Sequence, residues 1–149
     1  MNRDKFSKYL EIANAISKFS KDPSTKVGAI AINDKGIILS TGYNGFPRGV
    51  NDDAARYENR EVKYKLISHA EQNLVAQAAY AGHSLRGSTV FLSGLFPCSS
   101  CAKSLIQAGV STIISPPPDK NDRWKDDAEW SKILLDEAQV ETIYVEEID

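Results

Sequence analysis

The chain has 149 residues, 42% hydrophobic and 26% charged, with a formal net charge of −2. That is length enough for one domain, residues 1–149, with a substantial core, and no apolar run approaches membrane-spanning length. The near balance of charge argues against nucleic acid as a partner, because capture of a long polyanion needs a basic surface.

The opening Met1-Asn2-Arg3-Asp4-Lys5-Phe6 lacks the apolar stretch of a secretory signal, so the cytoplasm is the expected compartment. From Lys5 to Phe19, a helical stripe gathers Phe6, Tyr9, Leu10, Ala13, Ile16 and Phe19. Asp22-Pro23-Ser24 ends that helix. Val27 to Ile32 and Ile37 to Thr41 read as two strands joined by the tight turn Asn33-Asp34-Lys35-Gly36. Gly42 to Gly49 is too rich in glycine and proline for helix or strand, and Asn51 to Lys65 is a charged stretch of partial helical character.

A helix then runs from His69 to Ala81 and stops at Gly82. Thr89 to Leu92 is a strand, Cys98 to Ala108 a helix with Gly109 at its end, and Val110 to Ile114 a strand. Trp124 to Ala138 is the last helix and Val140 to Val145 the last strand. Strands alternating with helices after an opening hairpin predict a layered α/β domain.

Two strings carry the chemistry: His69-Ala70-Glu71 and Pro97-Cys98-Ser99-Ser100-Cys101. They supply one imidazole, two thiolates and one spare carboxylate. Ser68 is a good N-cap and Pro97 suits a helix start, so both strings fall in the first turns of helices. The positive ends of those helices favour thiolate, the form that binds zinc. Two thiolates and a neutral imidazole leave a bound Zn²⁺ formally neutral, with a fourth position open for water. Glu71 is then free to move that water's proton.

Other readings of the same residues stand beside this one. Ser68-His69-Ala70-Glu71 is also a capping box, in which Glu71 would only bond back to the backbone. C-x-x-C is also the spacing of thioredoxin-like redox pairs. A structural zinc site would need a fourth protein ligand, and His83, in a loop after Gly82, is the one remaining histidine.

The H-x-E and P-C-x-x-C pair is the signature of zinc-dependent nucleobase deaminases. The chain resembles the deoxycytidylate (dCMP) deaminase family of the cytidine deaminase-like superfamily along nearly its whole length. The resemblance runs through Ser20-Lys21-Asp22-Pro23-Ser24-Thr25-Lys26-Val27-Gly28-Ala29, the Gly42-to-Gly49 string, His69-Ala70-Glu71-Gln72-Asn73, Pro97-Cys98-Ser99-Ser100-Cys101-Ala102 and Ile106-Gln107-Ala108-Gly109-Val110. It implies a three-layer α/β/α sandwich around a five-stranded mixed sheet. It also implies hydrolysis of dCMP to dUMP and ammonia, supplying pyrimidine deoxynucleotide (dTMP) synthesis.

In that scheme His69, Cys98 and Cys101 hold one Zn²⁺, and Glu71 passes a proton from water to N3 of the pyrimidine and on to the leaving amino group. Asn44 meets the deoxyribose 3′-hydroxyl, the Val27-Gly28-Ala29 backbone walls the base, Ala70 and Pro97 are further substrate-binding residues, and Lys26 meets the 5′-phosphate. Arg48, Arg56, Arg60, Lys63 and Lys65 are further candidates for the phosphate, or else a solvated face. After the fourth strand, where some relatives carry an aromatic residue, this chain has Ser115-Pro116-Pro117-Pro118.

The resemblance further implies a homo-oligomer, commonly a hexamer, regulated by dCTP and dTTP. Mg²⁺ would accompany a nucleotide effector at a loop containing Phe46, Arg48 and Gly49. A rigid turn is the plainer reading of that loop. Rival functions are deamination of dCTP or cytidine, a tRNA adenosine deaminase, and a noncatalytic zinc-stabilised interaction domain.

Overall fold

Every residue of the strand Gly28–Ile32 (β1) is buried, because helices cover both of its faces. Alternation along the sheet divides the core in two. Ile30 and Ile32 of β1, with Phe91, Ile114 and Ile143, pack against Phe6 and Ala13 of the first helix. Ala29 and Ala31, with Val90, Leu92 and Ile113, face the other way, onto Leu74, Leu105 and Leu135 of three later helices. A sheet between two helical layers results, as the resemblance implies.

The computed structural model describes residues 3–118 and 120–147. Its elements in chain order are α1 (Phe6–Ser17), β1, β2 (Ile38–Tyr43), α2 (Ala54–Glu58), α3 (Arg60–Leu66), α4 (Ala70–Ala81), β3 (Thr89–Ser93), α5 (Ser99–Gln107), β4 (Thr112–Ser115), α6 (Asp122–Glu137) and β5 (Glu141–Tyr144). The sheet order is β2-β1-β3-β4-β5. β1 runs antiparallel to both of its neighbours, while β3, β4 and β5 are parallel. Among the described residues, no helix is long and apolar enough to cross a membrane.

Two glycines set the distance between layers. A Cβ on Gly28 would collide with the backbone of Ala13 and Ser17 in α1, and one on Gly42 with the backbone of Ala70 and Leu74 in α4. Both helices therefore lie closer to the sheet than any side chain would permit. For α4 this brings its N-terminus, where the metal-binding string begins, down onto β2.

Several boundaries differ from expectation. Helix α1 stops at Ser17, whose hydroxyl donates to the Asn14 carbonyl. Phe19 leaves the stripe, is 66% exposed and stacks on Tyr43. Strand β2 begins at Ile38 and runs on through Gly42 and Tyr43, beyond the expected end at Thr41. The Asn33 side chain accepts the amides of Lys35 and Ile37, so Ile37 belongs to the turn. The charged stretch forms two short helices, broken where Asn59 is extended and caps α3 through the Val62 amide. Helix α6 starts two residues earlier than Trp124, because the Asn121 side chain caps it by accepting the Arg123 amide.

Candidate metal centre and active site

Two helix starts converge beside the sheet. His69 is the N-cap of α4, in extended conformation, and Cys98 is the N-cap of α5. Cys101 lies one turn into α5 and is buried. The imidazole Nδ1 of His69 stands 3.3 Å from Sγ of Cys101 and 3.6 Å from Sγ of Cys98. All three donor atoms lie within 4.8 Å of one another.

These separations fit a tetrahedral zinc ion. Zn–N of about 2.0–2.1 Å and Zn–S of about 2.3 Å give a ligand N···S edge of about 3.6 Å. The geometry also assigns the ligand nitrogen as Nδ1, which the sequence left open. His83 plays no part: its Nδ1 lies 2.8 Å from the Leu39 carbonyl, at the far end of α4.

The capping-box reading of Glu71 is overturned. The His69 amide donates to Gln72 Oε1 at 2.9 Å, so Gln72 makes the reach-back and the box is shifted by one residue. Glu71 is instead buried, only 5% exposed, and interacts electrostatically with Cys101 and His69. Burial pushes its carboxyl up to about 7, against the opposing pull of its own backbone and of His69. A group poised there can both take and return a proton near neutrality.

The two thiols differ. The hydrogen bond from Cys101 draws Cys98 down to about 4, helped by His69. That same bond, together with burial, holds Cys101 far above the ordinary thiol range. His69 is raised by its hydrogen bond with Cys98. The protein alone thus carries one ready thiolate for a cation.

Of the substrate residues expected from the resemblance, Lys26 and Val27 precede β1, Gly28 opens it, Asn44 follows β2, and Ala70 and Pro97 adjoin the ligands in sequence. Gly45 and Ser68 exchange backbone hydrogen bonds at 3.1 and 2.8 Å, which sets Asn44 beside the residue preceding His69. Buried Asn44 accepts the Val27 amide at 2.9 Å through Oδ1 and donates Nδ2 to the Thr25 carbonyl at 2.9 Å. Lys26 is exposed, with its ammonium on the Ser20 carbonyl. Val27, Gly28 and Ala70 are buried, and so is Pro97, whose carbonyl accepts the Ser131 hydroxyl. Phe46 stacks flat on Tyr57 at 4.1 Å, while Arg48 lies over Tyr80 and donates to Gln77. Gly49 is exposed at φ 85.

Lys63 is not part of a solvated face. It is buried and paired with Asp22 at 3.2 Å. Arg56 and Arg60 are occupied elsewhere, on the Asn51 carbonyl and over Tyr64, and Lys65 pairs with Glu61 on the surface. Sequence reasoning also missed Asp127 and Ser131 of α6, which bond to Ser99 and Pro97 on either side of Cys98.

A model of the cytidine and deoxycytidylate deaminase zinc-binding region matches residues 3–115. An uncharacterised deaminase of Aliivibrio fischeri is 35% identical over 140 residues, covering 93% of this chain and 91% of that relative. The deoxycytidylate deaminase of Mus musculus is 37% identical over 111 residues, 71% of this chain, so the match spans only 61% of the mouse protein. The crystal structure of the dCMP deaminase of cyanophage S-TIM5, in complex with dCMP and dUMP, superposes with a TM-score of 0.82 at 28% identity, covering 97% of this chain and 99% of that one. A ligand set assembled from two helix starts, within a family match that covers residues 3–115, places the chain in the cytidine and deoxycytidylate deaminase zinc-binding family.

Proposed function

We propose that the protein is a zinc-dependent hydrolase that converts dCMP to dUMP and ammonia. The observation that carries this reading is the buried Glu71 carboxyl, released from capping and set against a three-ligand centre. The whole-length likeness to a phage dCMP deaminase supports the choice of substrate.

Zinc held by His69, Cys98 and Cys101 would supply Lewis acidity toward water. Glu71 takes one proton from the attacking water, delivers it to pyrimidine N3, and returns a proton to the exocyclic nitrogen as ammonia leaves. Atoms balance: water supplies the new carbonyl oxygen at C4, and its hydrogens complete the ammonia and the ring N–H. Ala70 and Pro97, beside the ligands, and Val27 and Gly28, at the start of β1, wall the base. Asn44 meets the sugar, since its loop is tied at Ser68 next to His69. Lys26, exposed and with donors beyond its one backbone acceptor, meets the phosphate.

The same reading includes a single domain, a cytoplasmic protein with its thiols reduced, and a homo-oligomer. It includes dCTP and dTTP as effectors, with Mg²⁺, at the Phe46–Arg48–Gly49 loop.

Ammonia release from dCMP, dCTP, cytidine and tRNA by the zinc-loaded protein tests the assignment. We expect dCMP to be consumed in preference to the others. Consumption of tRNA alone, or of no cytosine compound at all, rejects it.

A further inference from the structure

Helix α6 lies outside residues 3–115, the stretch that the family's zinc-binding region matches. It nevertheless grips that region at its most sensitive point. Ser131, wholly buried, donates its hydroxyl to the Pro97 carbonyl at 2.8 Å. One turn earlier, Asp127 accepts the Ser99 amide at 3.0 Å through Oδ2 and the Ser99 hydroxyl at 2.5 Å through Oδ1. Pro97 and Ser99 are the residues immediately before and after Cys98.

The Pro97 carbonyl belongs to the peptide that leads into Cys98, and the Ser99 amide to the one that leads out. Fixing both planes fixes the φ of −70 and ψ of 168 at Cys98, and hence the direction of its Cα–Cβ bond. Asp127 also satisfies, from another helix, the Ser99 amide, one of the four that the helix leaves unpaired.

We propose that Asp127 and Ser131 are positioning residues for the metal centre. They hold the Cys98 backbone from both sides, so that α6 sets the grip on zinc without touching it. The inference rests on zinc occupying the site formed by His69, Cys98 and Cys101.

The test measures release of zinc from the loaded protein to a chromophoric chelator, and the visible spectrum of the Co²⁺-substituted protein. Partners of this kind affect metal affinity by roughly 10- to 100-fold. We expect Asp127→Ala and Ser131→Ala each to release zinc about tenfold faster, at the low end of that range, and to shift the Co²⁺ bands. Asp127→Asn keeps an acceptor for the Ser99 amide and should stay near the wild type. Asp126→Ala, the same change of charge at an exposed neighbour on α6, should leave release unaltered. Unchanged release and unchanged spectra in both alanine variants overturn the proposal, as does equal acceleration in Asp126→Ala. Should Asp127→Ala fail to fold, Ser131→Ala, which removes one hydroxyl, decides. A wild type that binds no zinc rejects the site itself, whereas bound zinc insensitive to these changes rejects only the role of α6.

Discussion

Lys63 of α3 and Asp22, in the loop after α1, meet at 3.2 Å with their side chains only 6% and 5% exposed. The same Asp22 carboxylate accepts the Ser24 amide at 2.8 Å and the Asn44 side-chain amide at 3.4 Å. One buried ion pair therefore orients the asparagine assigned to the sugar.

Lys63→Met leaves that carboxylate buried without its counter-charge. Removing one partner of a buried pair costs about 3–5 kcal/mol, and urea denaturation should show a loss of that size. The double variant Lys63→Met with Asp22→Asn should recover part of it, because no lone charge remains. A loss below about 1 kcal/mol in the single variant, the scale of an exposed pair, would mean that water reaches the pair.

Glu71→Gln tests the proton carrier. The amide keeps the shape of the side chain but cannot exchange a proton, so turnover should fall by roughly 10²- to 10⁴-fold. One zinc per chain should remain by elemental analysis. Undiminished ammonia release from dCMP would reject the assigned chemistry, and loss of zinc would make Glu71 structural.

Zinc capture should release protons and strengthen as pH rises. Zinc binds thiolates, and in the metal-free protein Cys98 is already ionised at neutral pH while Cys101 is held as thiol. The sign follows: Cys101 must give up a proton for the ion to bind, so added acid competes with zinc. Calorimetry at pH 7.5 in buffers of different ionisation enthalpy should count about one to two protons per ion, one from the thiol still protonated and a fraction from the raised His69 imidazole. A count of zero would contradict the thiol–thiolate pair.

The C-terminus of α6 offers a stabilising change. Val140 donates to the Leu135 carbonyl and Gln139 to Asp136, a closing motif in which Gln139 takes φ 63. Helices α4 and α5 end in the same way with glycine, at Gly82 and Gly109. Gln139→Gly should remove a left-handed penalty of about 1–2 kcal/mol, less about 0.5–1 kcal/mol of added chain entropy. A rise in melting temperature of about 1–4 °C is the expected reading. A fall would show that the Gln139 side chain contributes more than its backbone strain costs.

The metal site was legible because its ligands sit at helix starts, where sequence signals are local and strong. Pro97 marks one start, and the two cysteines share a turn. The cap of α4 was less legible: Ser68-x-x-Glu71 and His69-x-x-Gln72 are overlapping boxes, and only the folded backbone selects the second. Lys63 hid in a run with Arg56, Arg60 and Lys65, since nothing local tells which cation of a charged stretch is buried. Asp22-Pro23-Ser24 did carry a sign, because an aspartate accepting the amide two residues on is a common turn. The α6 partners of Cys98 could not be read at all: Asp126 and Asp127 look alike in sequence, and one of them reaches Ser99. Phe19 misled because its spacing continued the stripe past the last hydrogen-bonded turn of α1.

The paired backbone of Gly45 and Ser68 closes the neck of everything from 46 to 67. Once a neck is closed, lengthening the chain beyond it is cheap, about 0.6 kcal/mol for each doubling of a flexible loop. Extra residues spliced into the polar stretch 51–53 would lengthen the segment without tugging on His69. The two ends of the segment can thus stay fixed beside the metal ligands while its middle changes in length.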